Sequence, residues 1–249
     1  MSTLITAGCS FTEGPNAWPN YTSSELNLNL INSGIFSIGN GLIAKRLIHD
    51  VDDYLRSNSS EDLIVGVMWS GIDRHEFRSD VKKLNDHADD DWWSENPTSV
   101  VHGIDKWVIL NPHWKLNYAR IWYKHFHNYI GSIISTLNQI HYVQLYLESH
   151  NIRYFMTTFM KIFNKPLGQS LLFRPDVEST YKTHDEIGYL YDMIDFTKFI
   201  DITGCYEWIH SNYNLKGLED PNEFSHPTPY GHKMFAKEVI VPHIKDKLF

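Results

Sequence analysis

Seven consecutive residues, Leu63 to Trp69, constrain the fold more than any other segment of the chain. Their sequence, Leu-Ile-Val-Gly-Val-Met-Trp, has no charged or amide side chain and lies between the turn-forming pairs Ser59-Ser60 and Ser70-Gly71. A short apolar run bounded by turns is typical of a strand buried on both faces, and such strands belong to parallel sheets covered by helices. We therefore expect this segment to form the central strand of an α/β sheet.

Four other segments have the composition of strands. They are short, rich in apolar or β-branched residues, and lie next to turn residues or to the start of an amphipathic segment. In chain order these predicted strands are Thr3–Ala7, Leu28–Phe36, Arg153–Thr158 and Phe199–Thr203.

Apolar residues at three- and four-residue spacings predict the helices between the strands. One helix is expected to begin with Asn40 as its cap and to end near Leu55, one to run unbroken from Tyr118 to about Ser149, and one to run from Thr228 to His243. Strands that alternate with helices form parallel sheets with right-handed crossovers. The expected fold class is therefore α/β, with ligands bound at the carboxyl ends of the strands.

Length and cysteine content indicate a single reduced unit. We expect one domain, residues 1–249, because the chain shows one set of alternating elements and no internal repeat or linker. Two stretches, at about 77–115 and 160–198, do not fit the alternation and are interpreted as insertions. Cys9 and Cys205 are too few for a disulfide framework and are expected to be unbridged thiols.

Charge and hydropathy exclude two kinds of partner. The net charge is -8 and the 22 Lys and Arg residues are dispersed along the chain, so no nucleic-acid partner is expected. We also expect no membrane partner, because no run of 18 apolar residues occurs. The N-terminus lacks the basic and apolar regions of a signal peptide, which predicts a protein that is not exported.

Ser10 is the candidate nucleophile. It lies in Gly8-Cys9-Ser10-Phe11-Thr12, directly after the first predicted strand and so at the carboxyl edge of the sheet. A serine hydroxyl needs a base that removes its proton, so this interpretation requires a histidine within hydrogen-bond reach. The alternative is that Ser10 only caps the following turn or helix.

His226 is the candidate base. It lies in a loop that Pro227 and Pro229 stiffen, just before the last predicted helix, so its ring is expected to have a fixed direction. Glu223 could accept a hydrogen bond from the ring N–H, and Asp220 is the competing acid. His232, on the helix itself, is interpreted as structural.

These two segments resemble the SGNH, or GDSL-like, esterases and lipases. Gly8 to Thr12 is similar to the first block of that family, Gly-Asp-Ser-x-Thr, with Cys9 in place of the acid. Glu223 to His226 is similar to its last block, Asp-x-x-His, and the continuation His-Pro-Thr-x-x-Gly-His is the most specific match. The resemblance implies that Ser10 is the nucleophile, His226 the base and Glu223 the orienting acid. It also implies a three-layer α/β/α sandwich with a flavodoxin-like, five-stranded parallel sheet of order 2-1-3-4-5.

The middle blocks of the family match less closely. Residues 32–40 resemble the second block, which implies Gly39 as an oxyanion donor beside the N–H of Ser10, with Ser37 as the alternative. The third block is usually Gly-x-Asn-Asp, but residues 68–74, Met-Trp-Ser-Gly-Ile-Asp-Arg, contain no Asn. Ser70, Gly71 or Arg74 would have to replace it in binding the oxyanion or the substrate. Trp-Ser-x-x-x-Arg resembles a variant third block of SGNH-like proteins, some of them from bacteriophages.

Other patterns carry less weight. His125 and His127 diverge on a helix and lack acidic or cysteine partners at zinc-like spacing, so neither a metal nor another cofactor is expected. Gly39-Asn40-Gly41 lacks the lysine and the frame of a phosphate-binding loop. The tryptophans of the first insertion are interpreted either as a sugar-binding platform or as packing; they are Trp92, Trp93, Trp107 and Trp114.

Two functions are consistent with these residues. The first is a serine ester hydrolase acting on a small acyl ester, with an O-acetylated carbohydrate as the expected substrate. The second is a non-catalytic protein on the same fold, either carbohydrate-binding or a structural component of a virion, since fold does not determine function. A cytoplasmic or virion-associated location is expected, and association as an oligomer or with a virion is left open.

Overall fold

The computed structural model describes residues 2–78, 100–101, 107–111, 117–163, 184–213 and 226–248. The strands in these segments are β1 (Thr3–Gly8), β2 (Asn29–Asn32), β3 (Leu63–Trp69), β4 (His75–Arg78), β5 (Val100–Val101), β6 (Trp107–Leu110) and β7 (Arg153–Thr158). The helices are α1 (Trp18–Leu26), α2 (Asn40–Leu55), α3 (Asn117–His125), α4 (Tyr129–Ser149), α5 (Asp185–Asp192), α6 (Cys205–Asn212), α7 (Pro229–Phe235) and α8 (Val241–Lys247).

The main sheet is parallel and has the strand order β2-β1-β3-β7. The predicted bounds of β3 and β7 are confirmed, and β1 extends one residue further, to Gly8. β3 pairs with β1 on one side and β7 on the other, and all its residues are buried. It therefore occupies the central position that its apolar sequence predicts.

Side chains on the two faces of this sheet enter two different hydrophobic clusters. Val65 and Trp69 point to the face covered by α2 and α4, whereas Ile64 and Met68 point to the face covered by α1, α6 and the C-terminal helices. Alternate residues of a strand project to opposite faces, so a strand buried on both sides must be apolar at every position. The described chain thus encloses the sheet between helices on both sides.

The predicted second strand, Leu28–Phe36, is longer than the observed one, Asn29–Asn32. β2 ends at Asn32, whose Nδ2 donates to the carbonyl of Thr12 at 2.7 Å. The Oδ1 atom of Asn32 accepts from the N–H of Gly34 at 3.0 Å. The N–H groups of Ser33 and Ile35 still donate to the carbonyls of Thr6 and Gly8, at 2.8 and 3.1 Å. The segment that was predicted to continue as strand to Phe36 instead forms part of the loop next to Ser10.

The predicted fifth strand, 199–203, is reduced to a single parallel bridge between Met156 and Phe199. The N–H of Ile200 donates to the carbonyl of Met156 at 2.9 Å, but the N–H of Ile202 then donates back to Ile200 at 2.8 Å. That local turn ends the pairing after one residue. The position of the bridge, beside β7, is the place where a fifth strand would lie.

The single helix predicted from Tyr118 to Ser149 is two helices, α3 and α4. The N–H groups of Phe126 and His127 both donate to the carbonyl of Trp122, at 2.8 and 2.9 Å, and this closes α3. Asn128 then caps α4 by accepting from the N–H of Gly131 at 3.1 Å. An apolar stripe can pass across such a break, so the periodicity alone did not reveal it.

The C-terminal helix begins as predicted but contains an irregular segment. Thr228 caps α7 by accepting from the N–H of Gly231 at 3.2 Å. A π-helical segment, Ala236–Ile240, then joins α7 to α8, which ends at Lys247 rather than at His243. Pro242 has no N–H to donate, so an α-helical ladder cannot pass through it unchanged. Helices α1, α5 and α6 were not predicted.

The first predicted insertion contains a second, antiparallel sheet of order β4-β6-β5. This sheet contacts α2: Lys45 Nζ lies 4.3 Å from the centre of the Trp107 ring. Trp107 is therefore packed under a lysine, whereas Trp92, Trp93 and Trp114 lie outside the described residues.

Within the described segments, no helix is both long and apolar enough to cross a membrane.

Candidate active site

The turn after β1 presents Ser10 at the carboxyl edge of the sheet. The N–H of Thr12 donates to the carbonyl of Cys9 at 2.8 Å, which reverses the chain around Ser10. A Cβ atom at Gly8 would overlap the Thr12 hydroxyl, so a glycine is needed there. Cys9 is fully buried in the core, whereas Ser10 is only partly buried. The turn therefore directs the thiol inward and the hydroxyl toward solvent.

Ser10 and His226 lie within hydrogen-bond distance although 216 positions separate them in the chain. The distance from Ser10 Oγ to His226 Nε2 is 2.7 Å. The His226 ring also packs against the Phe11 ring, with centroids 5.0 Å apart. The helix that starts at Thr228 and the adjacent Phe11 both restrict the direction of this imidazole.

His232 lies close to this pair but in a different environment. Its side chain is buried, and its ring is 6.2 Å from Phe11 in an edge-on arrangement. Burial, together with a smaller effect of the nearby His226, lowers the pKa of His232 to about 4. His232 is therefore neutral at pH 7 and, in agreement with its interpretation as structural, contributes to the packing around Phe11. Glu223 and Asp220, the two candidate acids, lie outside the described residues.

Gly39, the predicted oxyanion donor, lies against a carboxyl group of the second sheet. A Cβ atom at Gly39 would overlap Glu76 Oε2, and the N–H of Gly39 is directed at the same carboxyl. Glu76 Oε1 also accepts from the N–H of Leu42 at 2.6 Å. The alternative donor, Ser37, is buried and has a φ of 62°, a left-handed conformation that is uncommon for a residue with a side chain.

Asn40 does not cap α2, contrary to the sequence-based prediction. The N-cap is Gly39, and no side-chain hydrogen bond comes from it. Asn40 Oδ1 instead accepts from the N–H of Ser70 at 2.8 Å, and its Nδ2 donates to the Ser70 carbonyl at 3.3 Å and to Thr136 Oγ1 at 3.1 Å. A cap needs an acceptor for the first free N–H groups of the helix, and here Glu76 supplies it from another strand.

Ser70, Gly71 and Arg74, the candidates after β3 for binding the oxyanion or the substrate, have different surroundings. Ser70 is buried, its backbone is bound by Asn40, and its Oγ has no hydrogen-bond partner among the residues that the structure describes. Gly71 is buried in the same turn. Arg74 is partly buried, and its Nη1 donates to the carbonyl of Ile38 at 3.4 Å.

Arg74 also lies over the ring of Phe159, 5.2 Å from its centre. Phe159 packs edge-on against Phe11 with ring centroids 5.2 Å apart, and Phe11 in turn packs against His226. A continuous series of side chains therefore connects the guanidinium to the histidine. This places Arg74 on the same edge of the sheet as Ser10, beside the loop 37–39.

Sequence reasoning missed Glu76, Asn40 as a bridge, and Phe159. Each of these residues acts through a contact with residues distant in the chain, so the spacing of nearby residues in the sequence does not reveal it. The only available signal was the pair of glycines around Asn40, which indicated a close approach of some group to the start of α2.

In the described part of the chain, no cluster of three or more His, Cys, Asp or Glu side chains could hold a metal ion.

The fold and the site together define an α/β protein with a serine hydrogen-bonded to a histidine at the carboxyl edge of a parallel sheet. More particularly, the chain belongs to the Family of unknown function (DUF6071), whose model matches residues 7–249. No match was found among curated proteins.

Several solved structures are similar in fold to this chain at low sequence identity. A member of the lipolytic protein G-D-S-L family from Veillonella parvula is 11% identical, with a TM-score of 0.45 and 96% of each chain covered. An acetylxylan esterase from Geobacillus stearothermophilus, solved as a catalytic mutant, is 14% identical, with a TM-score of 0.47 and coverage of 95% of this chain and 91% of that one. An alpha/beta hydrolase from the metagenome of Lake Arreo, Spain, is 16% identical, with a TM-score of 0.42 and coverage of 94% and 91%.

Proposed function

We propose that this protein is a serine ester hydrolase in which Ser10 is the nucleophile and His226 the general base. The observation that carries the proposal is the 2.7 Å contact between Ser10 Oγ and His226 Nε2. A contact of this length is what proton transfer from a nucleophilic hydroxyl requires. For Nε2 to accept that proton, the neutral ring must hold its own proton on Nδ1.

The reaction follows from this pair. Ser10 Oγ bonds to the ester carbonyl carbon while His226 Nε2 takes the hydroxyl proton. The tetrahedral intermediate then expels the alcohol, which receives that proton from His226, and an acyl-serine remains. Water attacks the acyl carbon and gives a proton to Nε2; the bond between the acyl carbon and Ser10 Oγ then breaks, the carboxylic acid leaves, and Ser10 Oγ receives that proton from His226.

We propose Glu223 as the acid that orients His226, with Asp220 as the alternative. The spacing of three residues between Glu223 and His226 supports this role. The Nδ1 atom of His226 is shielded from solvent, which is where an orienting carboxylate would be effective. A carboxylate there would also stabilise the imidazolium that forms during each proton transfer.

We propose that the oxyanion is bound by the N–H of Ser10 and by a second donor from residues 37–39. Gly39 was the first choice, but its N–H is directed at Glu76, and this favours Ser37 as the donor. The N–H of Ser70 is bound by Asn40 and is therefore a weaker candidate than Arg74. Arg74, which lies beside Ile38, would add a positive charge at the place where the third block of the SGNH family has Asn.

The proposed substrate is a small acyl ester, with an O-acetylated carbohydrate as the preferred class. Phe11, Phe159 and Arg74 pack in series beside His226, which favours a short acyl group over a long one. We also propose that the fold is the three-layer SGNH sandwich in a single domain, with the bridge at Phe199 in the place of its fifth strand.

A non-catalytic protein on this fold is the second candidate. It is favoured by one observation: the N–H groups of Gly39 and Ser70 are both directed at side chains of the protein itself. In a working oxyanion site, such donors must be available to the substrate.

The two candidates are separated by hydrolysis of p-nitrophenyl acetate and of acetylated glycans. The enzyme hypothesis predicts turnover that falls by about 1000-fold or more in Ser10→Ala. Turnover that does not change in this variant, or no turnover by the unmodified protein on either substrate, would contradict it. Cys9→Ala is a matched control, since the Cys9 side chain is buried in the hydrophobic core and is not part of the Ser10–His226 contact.

A further inference from the structure

The start of α2 binds a carboxyl group that the protein itself supplies. Glu76 Oε1 accepts from the N–H of Leu42 at 2.6 Å, and the N–H of Gly39 is directed at the same carboxyl. A Cβ atom at Gly41 would lie 2.9 Å from Glu76 Oε1, and one at Gly39 would overlap Oε2. The two glycines are therefore explained by the close approach of this carboxyl group.

A second contact holds the same turn from the opposite side. The side chain of Asn40 binds both backbone groups of Ser70, directly after β3, and also the hydroxyl of Thr136 on α4. The turn at residues 39–41 is thus held between Glu76 of the second sheet and Ser70 of the main sheet.

The residues that this turn carries are those proposed to bind the oxyanion. Ile35, four positions before Gly39, donates through its N–H to the carbonyl of Gly8 at 3.1 Å, so this loop runs beside the turn of Ser10. Ser37 lies in the intervening segment with its left-handed backbone. The Arg74 guanidinium donates to Ile38, and the Arg74 carbonyl lies against Gly39.

We propose that Glu76 is a positioning residue for the hydrolysis: it holds residues 37–41 and Arg74 beside Ser10 without touching the substrate. This inference rests on the proposed function, since it assigns Glu76 a role in that same reaction. It also assigns a role to the second sheet: β4 carries Glu76 and brings its carboxyl group to the start of α2.

The physical basis is the unpaired N–H group that would remain without the carboxyl group. If Glu76 is removed, the N–H of Leu42 loses its acceptor, and the loop can relax toward another partner. Small displacements of groups that bind the transition state reduce kcat much more than they weaken substrate binding. A positioning role therefore predicts a loss in kcat, whereas a purely structural role predicts only a loss of stability.

The test compares Glu76→Ala and Glu76→Gln with the unmodified chain on p-nitrophenyl acetate. Concentrations are those of active sites titrated with a fluorophosphonate, so that unfolded protein does not count. Glu148→Ala is the matched control: Glu148 accepts from the Tyr154 hydroxyl at 2.8 Å at the opposite, amino edge of the sheet.

We expect kcat to fall by at least about tenfold in Glu76→Ala while KM changes by less than about threefold. Glu76→Gln keeps one acceptor for Leu42 but sets an amide N–H₂ against Gly39, so its kcat should lie between those of the other two proteins. Glu148→Ala should keep the kcat of the unmodified chain.

Equal kcat per titrated site in Glu76→Ala and the unmodified chain would overturn the positioning role alone. If Glu76→Ala does not fold, Glu76→Gln decides the matter, and an unchanged kcat in that variant overturns the role. If the unmodified chain neither reacts with the fluorophosphonate nor hydrolyses the ester, the proposed function fails and the positioning role fails with it.

Discussion

Ser10 and Ser70 both follow strands of the main sheet at its carboxyl edge, but their surroundings differ. The Ser10 hydroxyl contacts a histidine and its turn is partly open to solvent. Ser70 is buried, and Asn40 binds both its N–H and its carbonyl. The comparison shows that the position at the end of a parallel strand is not enough for reactivity. A nucleophile also needs a base and an approach for the substrate.

The difference extends to the turns that contain these serines. On the Ser10 side, a side-chain pair is set up for proton transfer, and the neighbouring Phe11 and His232 hold it in place. On the Ser70 side, hydrogen bonds from Asn40 and Glu76 hold the backbone. One side of the edge thus carries the pair to which we assign catalysis, and the other holds the neighbouring backbone in place.

The largest effect is expected from removing His226, the proposed base of Ser10, and it should appear in the rate of ester hydrolysis. His226→Ala removes the base, and kcat/KM for p-nitrophenyl acetate should fall by about 1000-fold or more. His150→Ala is the matched control, because His150 is exposed just beyond the end of α4. Steady-state kinetics on both variants check this, and a loss of similar size in His150→Ala would show that the effect is not specific to the site.

A smaller effect is expected in the pH dependence of stability, where the two sides act in opposite directions. Burial raises the pKa of Glu76 to about 7, although Lys45 and Arg74 partly oppose the shift. The folded state therefore holds a proton on Glu76 that the unfolded state releases, and stability falls as pH rises from about 4.5 to 7. The pKa of His232 is lowered to about 4 by burial and by His226, so stability falls as pH drops from about 6.5 to 4.

The two single variants separate these contributions, each of which corresponds to about 3 kcal/mol. Glu76→Gln should gain more stability than the unmodified chain as pH rises from 4 to 6.5, because the opposing Glu76 contribution is removed. His232→Gln should lose more stability than the unmodified chain as pH rises from 4.5 to 7, because the opposing His232 contribution is removed. Urea unfolding at several pH values measures both slopes. Parallel profiles for the two variants would mean that these groups do not titrate as their burial requires.

The smallest of these effects is expected from Asn40→Ala, which breaks the support on the Ser70 side. The N–H and carbonyl of Ser70 would lose their partner in a buried environment, which should lower the free energy of unfolding by about 2 kcal/mol. Denaturant unfolding gives this value, and Asn58→Ala is a control for the loss of an exposed amide that bonds to the backbone. Equal losses in the two variants would show that the Asn40 bridge is no stronger than a surface contact.

The sequence was sufficient for those parts of the molecule that depend on local pattern. Leu63–Trp69 and Arg153–Thr158 could be predicted with their bounds, because a strand buried on both faces must be apolar throughout. The pairing of Ser10 with His226 could also be expected, because the segments around them resemble the first and last blocks of the SGNH family.

The remaining features depend on contacts between distant residues. β2 ends at Asn32, whose side chain binds the carbonyl of Thr12, and no periodicity encodes that bond. Glu76 acts as the cap of a helix that begins 36 positions earlier in the chain, so no capping motif could identify it. Asn40 had the right residue type for a cap, but its tertiary contact with Ser70 took precedence over the local preference.

The most direct test of the account is the site at which a fluorophosphonate probe reacts. After incubation, peptide mapping by mass spectrometry should find one label per chain, on Ser10, and His226→Ala should react far more slowly because the hydroxyl has lost its base. Absence of the label from Ser10, or labelling of Ser10 at the same rate without His226, would contradict the claim that these two side chains form a catalytic pair.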